Sequence, residues 1–285
     1  MTTTTTATRP VGSPAASTDA GRGVTFPRLL RSEQIKLWSV RSTPWVLGIT
    51  ALVIVGITAL FSAVATSNTD PGPDAHTVGV QVLGPATQMA QLALAVIGVL
   101  TITGEYSTGM IRSSLTAAPR RTPVIWSKLV VLFLTVLVTA AVAVAVAIGI
   151  QALIVNGRGF SLDFGDAEVQ RLLVGTVLYL ATIGAFAFAL GALLRHSAAA
   201  LATVLGLLVV VENLFFIPWK PLSYIHPFLP STAGLKLTYS DADIASLNDQ
   251  MRGPDFTAWQ GYGILVAWVV VLLACALWRL KKRDA

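Results

Sequence analysis

The stretch Trp45–Ala65 reads W-V-L-G-I-T-A-L-V-I-V-G-I-T-A-L-F-S-A-V-A and carries no charge. A helix needs about 20 apolar residues to cross the hydrocarbon core of a bilayer, so this run alone points to a membrane. Five more runs follow it: Val80–Thr103, Leu129–Val155, Leu172–Leu194, Ala198–Ile217 and Gly261–Trp278. The expected fold is an all-α integral membrane protein with six transmembrane helices. The chain divides into a disordered tail over 1–25, an amphipathic interfacial helix over 26–43 and a six-span domain over 44–285. No polar stretch between the runs is long enough to form an enzyme domain.

Composition agrees. Of 285 residues, 54% are hydrophobic and only 12% charged, against about 25% charged in a soluble domain. Mean hydropathy is +0.71. The formal net charge of +6 does not indicate nucleic acid, because the basic residues flank the spans. Fifteen Lys and Arg fall before span 1, between spans 2 and 3, between spans 4 and 5, and after span 6; five fall in the remaining loops. The positive-inside bias then puts both termini in the cytoplasm of a multi-pass plasma-membrane protein. Trp45, Trp126, Trp219, Trp259 and Trp278 sit near span ends, where an amphipathic ring is favoured. A single cysteine, Cys275, allows no intrachain disulfide. No apolar run precedes Trp45, so no signal peptide is expected. The Thr-, Ala- and Pro-rich start has little to bury and is expected to be disordered.

Before span 1, F-P-R-L-L-R-S-E-Q-I-K-L-W-S-V-R (Phe26–Arg41) places Phe26, Leu29, Leu30, Leu37 and Val40 on one arc of a helix. This is the pattern of a helix lying on the membrane surface. Glu33 interrupts the arc. A carboxylate facing lipid is costly, which leaves two readings: an interfacial anchor, or a helix that docks a partner through Glu33.

Between spans 2 and 3, G-E-Y-S-T-G-M-I-R-S-S-L-T-A-A-P-R-R (Gly104–Arg121) is bracketed by the breakers Gly109 and Pro119. Met110, Ile111 and Leu115 would give a short helix its apolar contacts, and Arg112 its charge. Such a helix across the mouth of two spans can pass a push from a soluble partner to both. The plain alternative is an ordinary basic loop.

These two segments, R-S-E-Q-I-K-L-W-S-V-R-S-T (Arg31–Thr43) and G-E-Y-S-T-G-M-I-R (Gly104–Arg112), followed by P-R-R (Pro119–Arg121) and Lys128, resemble the permease subunit of ABC-2 type ATP-binding-cassette exporters, of the six-span kind common in actinobacteria. The resemblance in spacing and topology runs from about Phe26 to Arg283. It implies an interfacial N-terminal helix and a coupling helix after span 2 that sits in a cleft of a separate ATP-hydrolysing subunit. Glu105, Tyr106, Gly109, Met110, Ile111 and Arg112, together with Glu33, would lie at that contact. It also implies that ATP and Mg belong to the partner subunit, that this chain binds no cofactor, and that a second permease copy or a related permease completes the path.

Other chemistries lack their residues. No G-x-x-x-x-G-K-[ST] string exists to hold a nucleotide phosphate, so the chain itself is not expected to be an enzyme. The three histidines, His76, His196 and His226, fall at or outside span ends, which disfavours an intramembrane protease. Asp241 and Asp243 have no companion ligands for a metal site.

Two features lie inside the spans. In span 2, Gln81, Gly84, Gln88, Gln91, Ala95 and Gly98 recur at three- and four-residue spacing and form one stripe. The stripe faces inward as a wall of the translocation path or dimer axis, or as helix packing joined by amide hydrogen bonds. Near the outer end of span 5 lie Glu212 and Asn213. An intramembrane acid is a site candidate by default, though this one sits close to the interface. Ala181, Ala185 and Ala189 give span 4 a small-residue packing face. The segment Pro218–Gln260, with five prolines and short apolar pieces, is expected to form broken helices in the outer leaflet.

The leading expectation is an exporter permease moving an amphiphilic substrate, driven by a separate ATPase subunit. The alternatives are a secondary transporter or channel working through Glu212, and a membrane scaffold that recruits an ATPase.

Overall fold

A computed structural model of the protein describes residues 25–67, 82–110, 122–156, 164–212, 224–250 and 254–283. Among these no strand occurs. Gln81, Ile111, Arg112, Leu115 and Asn213, and the tail up to residue 24, lie outside the described residues. The helices are α1 (Phe26–Ser39), α2 (Ser42–Ser67), α3 (Leu83–Ser107), α4 (Thr122–Asn156), α5 (Ala167–Leu194) and α6 (Ser197–Leu205). A π-helical continuation, Gly206–Val211, extends α6. After it come a 3₁₀ turn (His226–Phe228), α7 (Pro230–Leu235), a second 3₁₀ turn (Lys236–Thr238), α8 (Asp241–Gln250) and α9 (Ala258–Arg283).

Among the described residues five helices, α2, α3, α4, α5 and α9, are long and apolar enough to cross a membrane. The protein is an integral, multi-pass membrane protein. The fifth predicted run, Ala198–Ile217, is helical from Ser197 to Glu212, and its last residues, 213–217, lie outside the described residues. Helix α4 is longer than its predicted run. It has 35 residues, about 52 Å at 1.5 Å per residue, and begins at Thr122 rather than Leu129. Pro123 suits a first turn, where its missing N–H costs nothing. The sequence reading stopped at Lys128 because a charge ends an apolar run, but here Lys128 is buried and paired.

Helix α5 is the centre. Every residue from Tyr179 to Ala192 is buried, against α3, α4, α6, α7 and α9. The expected small face of Ala181, Ala185 and Ala189 is there, but the closest approach is made by glycines. A methyl group on Gly98 of α3 would overlap the carbonyl oxygen of Gly184 on α5, and one on Gly191 would come within 2.9 Å of Ile102. Helix α2 is peripheral. It buries Thr43, Leu47, Thr50, Ile54, Thr58, Ser62 and Thr66, close to one residue per turn. Three hydroxyls of that stripe bond back to their own helix, Thr50 to the Val46 carbonyl at 2.7 Å, Ser62 to the Thr58 carbonyl at 2.6 Å and Thr66 to the Ser62 carbonyl at 2.7 Å, which lets them face a core. Leu52, Val138, Leu153 and Val270 are exposed, as lipid-facing residues should be.

Side-chain bonds orient the helices. Lys36 of α1, Glu105 near the end of α3 and Lys128 near the start of α4 meet at one end of the bundle. Helix α5 finishes at that same end, where the Arg195 guanidinium lies 5.4 Å from the Tyr106 ring centroid. Arg279, late in α9, donates to the Leu193 carbonyl at 2.7 Å. At the opposite end, Arg171 at the start of α5 pairs with Asp241 at 2.9 Å and donates to the Tyr239 carbonyl at 3.1 Å. There the short helices expected between residues 218 and 260 gather. Gly234 of α7 packs so closely on the Tyr179 ring that a methyl group would stand 2.8 Å from it. That contact carries α7 well below the first turns of α5.

Candidate functional site

At the α1 end, four charged side chains from three helices form one cluster. Glu33 extends from α1 onto α4, and Lys128 bonds its carboxylate. Lys128 also donates to Glu105 Oε1 at 2.7 Å. Lys36 donates to Glu33 Oε1 at 3.0 Å and to Glu105 Oε1 at 3.4 Å. Glu33, Glu105 and Lys128 are buried, at 4%, 8% and 4% exposure; only Lys36 reaches the surface. Two acids against two amines leave no net charge. Burial would pull the Lys36 amine down, but its hydrogen bond to Glu33 and the charges of Glu105 and Glu33 outweigh that and hold its pKa above the usual 10.5. A buried pair holds only while both partners remain, so the buried members Glu33, Glu105 and Lys128 join α1, α3 and α4 through one another.

The cluster corrects the reasoning about Glu33. Within the predicted apolar arc, Leu37 is buried with Glu33, while Phe26 and Val40 are exposed. The carboxylate therefore faces neither lipid nor an outside surface; the chain's own lysines hold it. Glu105 is turned inward in the same way. Beyond it Tyr106 is half-buried under Arg195, and Ser107–Met110 are exposed. Gly109 takes φ +72°, the left-handed conformation that ends a helix at low cost only in glycine. Sequence reasoning counted Lys36, Lys128 and Arg195 as basic residues beside spans, and Lys36 and Lys128 among the residues that carry the resemblance, but paired none of them with an acid. An isolated acid on an apolar arc, with a lysine at the next span boundary, was the signal that could have paired them.

The span 2 stripe is partly as expected. Gly84, Gln91, Ala95 and Gly98 are buried. Gln88 is exposed, a departure from the inward stripe, because α3 there borders a recess of about 320 Å³ shared with Tyr239 and Asp243. Its amide lies 3.4 Å from the Tyr239 hydroxyl. Gln91 accepts a hydrogen bond from the Tyr179 hydroxyl, and Ser231 of α7 lies 3.5 Å from the same oxygen. Glu212 accepts from the Thr232 hydroxyl at 3.3 Å, and that hydroxyl lies 3.1 Å from His226 Nε2. A hydroxyl has one proton; if it goes to Glu212, the imidazole must donate and carries its proton on Nε2. Burial, then the charge of Lys236, lowers the His226 pKa below 6.5. These contacts bring Gln91 and Glu212 into one polar network through α7, which sequence reasoning did not foresee. Tyr179, Ser231, Thr232 and His226 are its unanticipated members. Among the described residues no group of acids, histidines and cysteines is placed to hold a metal.

The family model described as "ABC-2 family transporter protein" matches residues 74–285. The chain belongs to the ABC-2 transporter family. No curated protein matches it. The match covers α3 through α9, with Glu105 and Lys128, and leaves α1 and α2 outside it. As an ABC-2 family member the protein is a permease component of an ABC transporter, a membrane transport component that works with an ABC ATPase subunit.

Proposed function

We propose that this ABC-2 permease exports an amphiphilic substrate across the plasma membrane, using ATP and Mg bound and hydrolysed by a separate subunit docked at the α1 end. Both termini then lie in the cytoplasm, the tail over 1–25 is disordered, 26–43 is the interfacial helix and 44–285 forms six spans, with α6 and its π turn in the fifth crossing. The observation that carries the reading is the buried cluster of Glu33, Lys36, Glu105 and Lys128, immediately before the exposed Ser107–Met110. A push on that loop reaches α1, α3 and α4 together, and through Tyr106 and Arg195 the end of α5. Tyr106, Gly109, Met110, Ile111 and Arg112 would meet the ATPase, while Glu33 and Glu105 pass the motion on. Gln81, Gln88, Gln91, Glu212 and Asn213 would line the path or the face toward a second permease copy. ATP then biases two arrangements of the bundle, as any ligand-driven switch requires.

The test is reconstitution of the permease with its ATPase in liposomes. Tyr106→Ala and Arg112→Glu should each abolish substrate movement while membrane insertion and ATP hydrolysis persist. Unchanged transport in both variants overturns the assignment of the loop. Transport that needs no ATPase but is lost in Glu212→Gln would favour a secondary transporter.

A further inference from the structure

At the end opposite α1, one hydroxyl ties three elements together. Thr232, on the first turn of α7, donates to Glu212 Oε1 at the end of the π turn and lies 3.1 Å from Nε2 of His226 on the 3₁₀ turn. With its one proton on the carboxylate, the hydroxyl accepts from a neutral imidazole. The same 3₁₀ turn leans on the lead into α9. The Phe228 ring meets the Phe256 ring edge-on at 5.2 Å, and Trp268 Nε1 donates to the Phe228 carbonyl at 2.9 Å. Lys236 is held on Phe256 as well. Its Nζ stands 5.7 Å from the ring centroid and donates to the Phe256 carbonyl at 3.3 Å and to Asn248 Oδ1 at 2.5 Å. Lys236 is 0% exposed, so these bonds fix its ammonium beside the turn.

A proton on His226 upsets this arrangement. The neutral imidazole needs only a hydrogen-bond partner. The imidazolium brings a positive charge into a half-buried place beside a fixed ammonium, where like charges repel more strongly than in water. The other charged groups nearby are Glu212, which the Thr232 hydroxyl separates from the ring, and Asp255, whose charge acts on Lys236. Tyr179 and Tyr239 add only phenols facing Glu212, and α9 has no charged residue before Arg279. Burial, then the Lys236 charge, decides the balance and lowers the His226 pKa. Lys236 is pinned by its bonds, so the 3₁₀ turn is the part that yields. We propose that His226 is the pin of an acid-released latch, which ties the turn His226–Phe228 and the first turn of α7 to the bundle while neutral and lets both swing away when protonated. The latch itself needs nothing from the transport reading. Only its sense, an acidic exterior easing outward opening, rests on that reading.

Hydrogen exchange of the full chain in detergent, read by mass spectrometry at pH 7.5 and 5.5 and corrected for intrinsic rates, tests the latch whichever face of the membrane it occupies. Two amides report on it: Leu229 N–H donates to the His226 carbonyl at 3.0 Å, and Ala233 N–H to the Leu229 carbonyl at 2.9 Å. Their protection should fall about three- to tenfold on acidification. Tenfold is the ceiling for one proton taken up at a pKa of about 6.5 in the open form and refused in the closed one. Protection of the buried stretch Tyr179–Ala192 of α5 should not change. His226→Gln keeps an N–H donor and does not titrate, so its two amides should be equally protected at both pH values. Thr232→Val keeps the shape but removes the hydroxyl, so the same amides should already exchange fast at pH 7.5. Unchanged protection at Leu229 and Ala233, an equal fall across α5, or a fall that persists in His226→Gln would each overturn the latch. So would Thr232→Val amides as protected at pH 7.5 as those of the parent.

Discussion

At the scale of single residues, the two polar networks differ in how they fail. Lys128 is 4% exposed and, like the more exposed Lys36, bonds both Glu33 and Glu105. Lys128→Ala leaves two buried carboxylates facing each other with one half-exposed lysine, and breaking a buried pair costs about 3–5 kcal/mol. Lys36→Ala removes a partly exposed partner and should cost about 1 kcal/mol or less. Thermal unfolding in detergent, followed by size-exclusion fluorescence, should rank Lys128→Ala far below Lys36→Ala; equal losses would mean that the cluster is not held from the α4 side. The outer network responds instead to pH. His226 meets Thr232, and around it stand the Glu212 carboxylate and the Lys236 amine, which itself donates to Asn248 at 2.5 Å. Because the folded pKa of His226 lies below 6.5, the unfolded chain takes up a proton that the folded chain refuses. The stability tied to neutral His226 is therefore fully present above pH 6.5 and is lost as pH falls through the folded value. His226→Gln keeps an N–H donor and does not titrate, so its melting temperature should fall less between pH 7.5 and 5.5 than that of the parent protein. A parallel fall in both proteins would place the acid sensitivity elsewhere.

At the scale of elements, the fit of α3 against α5 depends on an absent side chain. Gly98 faces backbone, the carbonyl oxygen of Gly184, and the Ala187 methyl at 3.0 Å. Backbone cannot rotate aside, so Gly98→Ala should push the two helices apart and cost about 1–3 kcal/mol, the range of overpacking. Gly104→Ala, with nothing within 4 Å of the added methyl, should be neutral or slightly stabilising in a helix. A melt that does not separate the two variants would count against the described α3–α5 contact. Such elements were legible to different degrees. The long spans, the helix α1, the Ala face of α5 and the helix end at Gly109 all follow from local rules of length, period and backbone conformation. The Gly98 contact did register as part of a small-residue stripe, since that rule is also local. What the local rules missed was pairing across distance. Lys128 looked like a boundary because nothing within a span's length of sequence could neutralise it, and its partners lie 95 and 23 residues away. Gln91 and Glu212 were not joined because broken helices were expected between residues 218 and 260, but no local rule says which of them meets both.

At the scale of the whole molecule, the helix directions constrain topology more tightly than helix lengths do. Helix α5 ends beside Tyr106, at the α1 end. Helix α9 also ends there, with Arg279 on the Leu193 carbonyl, so it must begin at the other end, where Gly261 packs on the Ala233 backbone. The chain between them has to return across the bundle. Among the described residues α6 and its π turn, from Ser197 to Val211, make the first part of that path. From the opposite side α7 descends to the level of Tyr179, and its Thr232 meets Glu212. If that path is a crossing, as proposed, the number of passages is even, and an even number puts both chain ends on one face of the membrane. Five crossings would put them on opposite faces. Replacing Cys275 by Ala leaves no native thiol, so single cysteines can then report sides. Cysteines at Arg28 and at Lys282 should both stay unlabelled by a membrane-impermeant maleimide in intact cells and both react once the cells are opened. Cysteines at Asp241 and Asp255 should react in intact cells. Labelling of Lys282→Cys but not Arg28→Cys from outside would mean that α6 turns back before crossing, and the proposed docking of a single cytoplasmic motor beneath α1, α3, α4, α5 and α9 would fall with it.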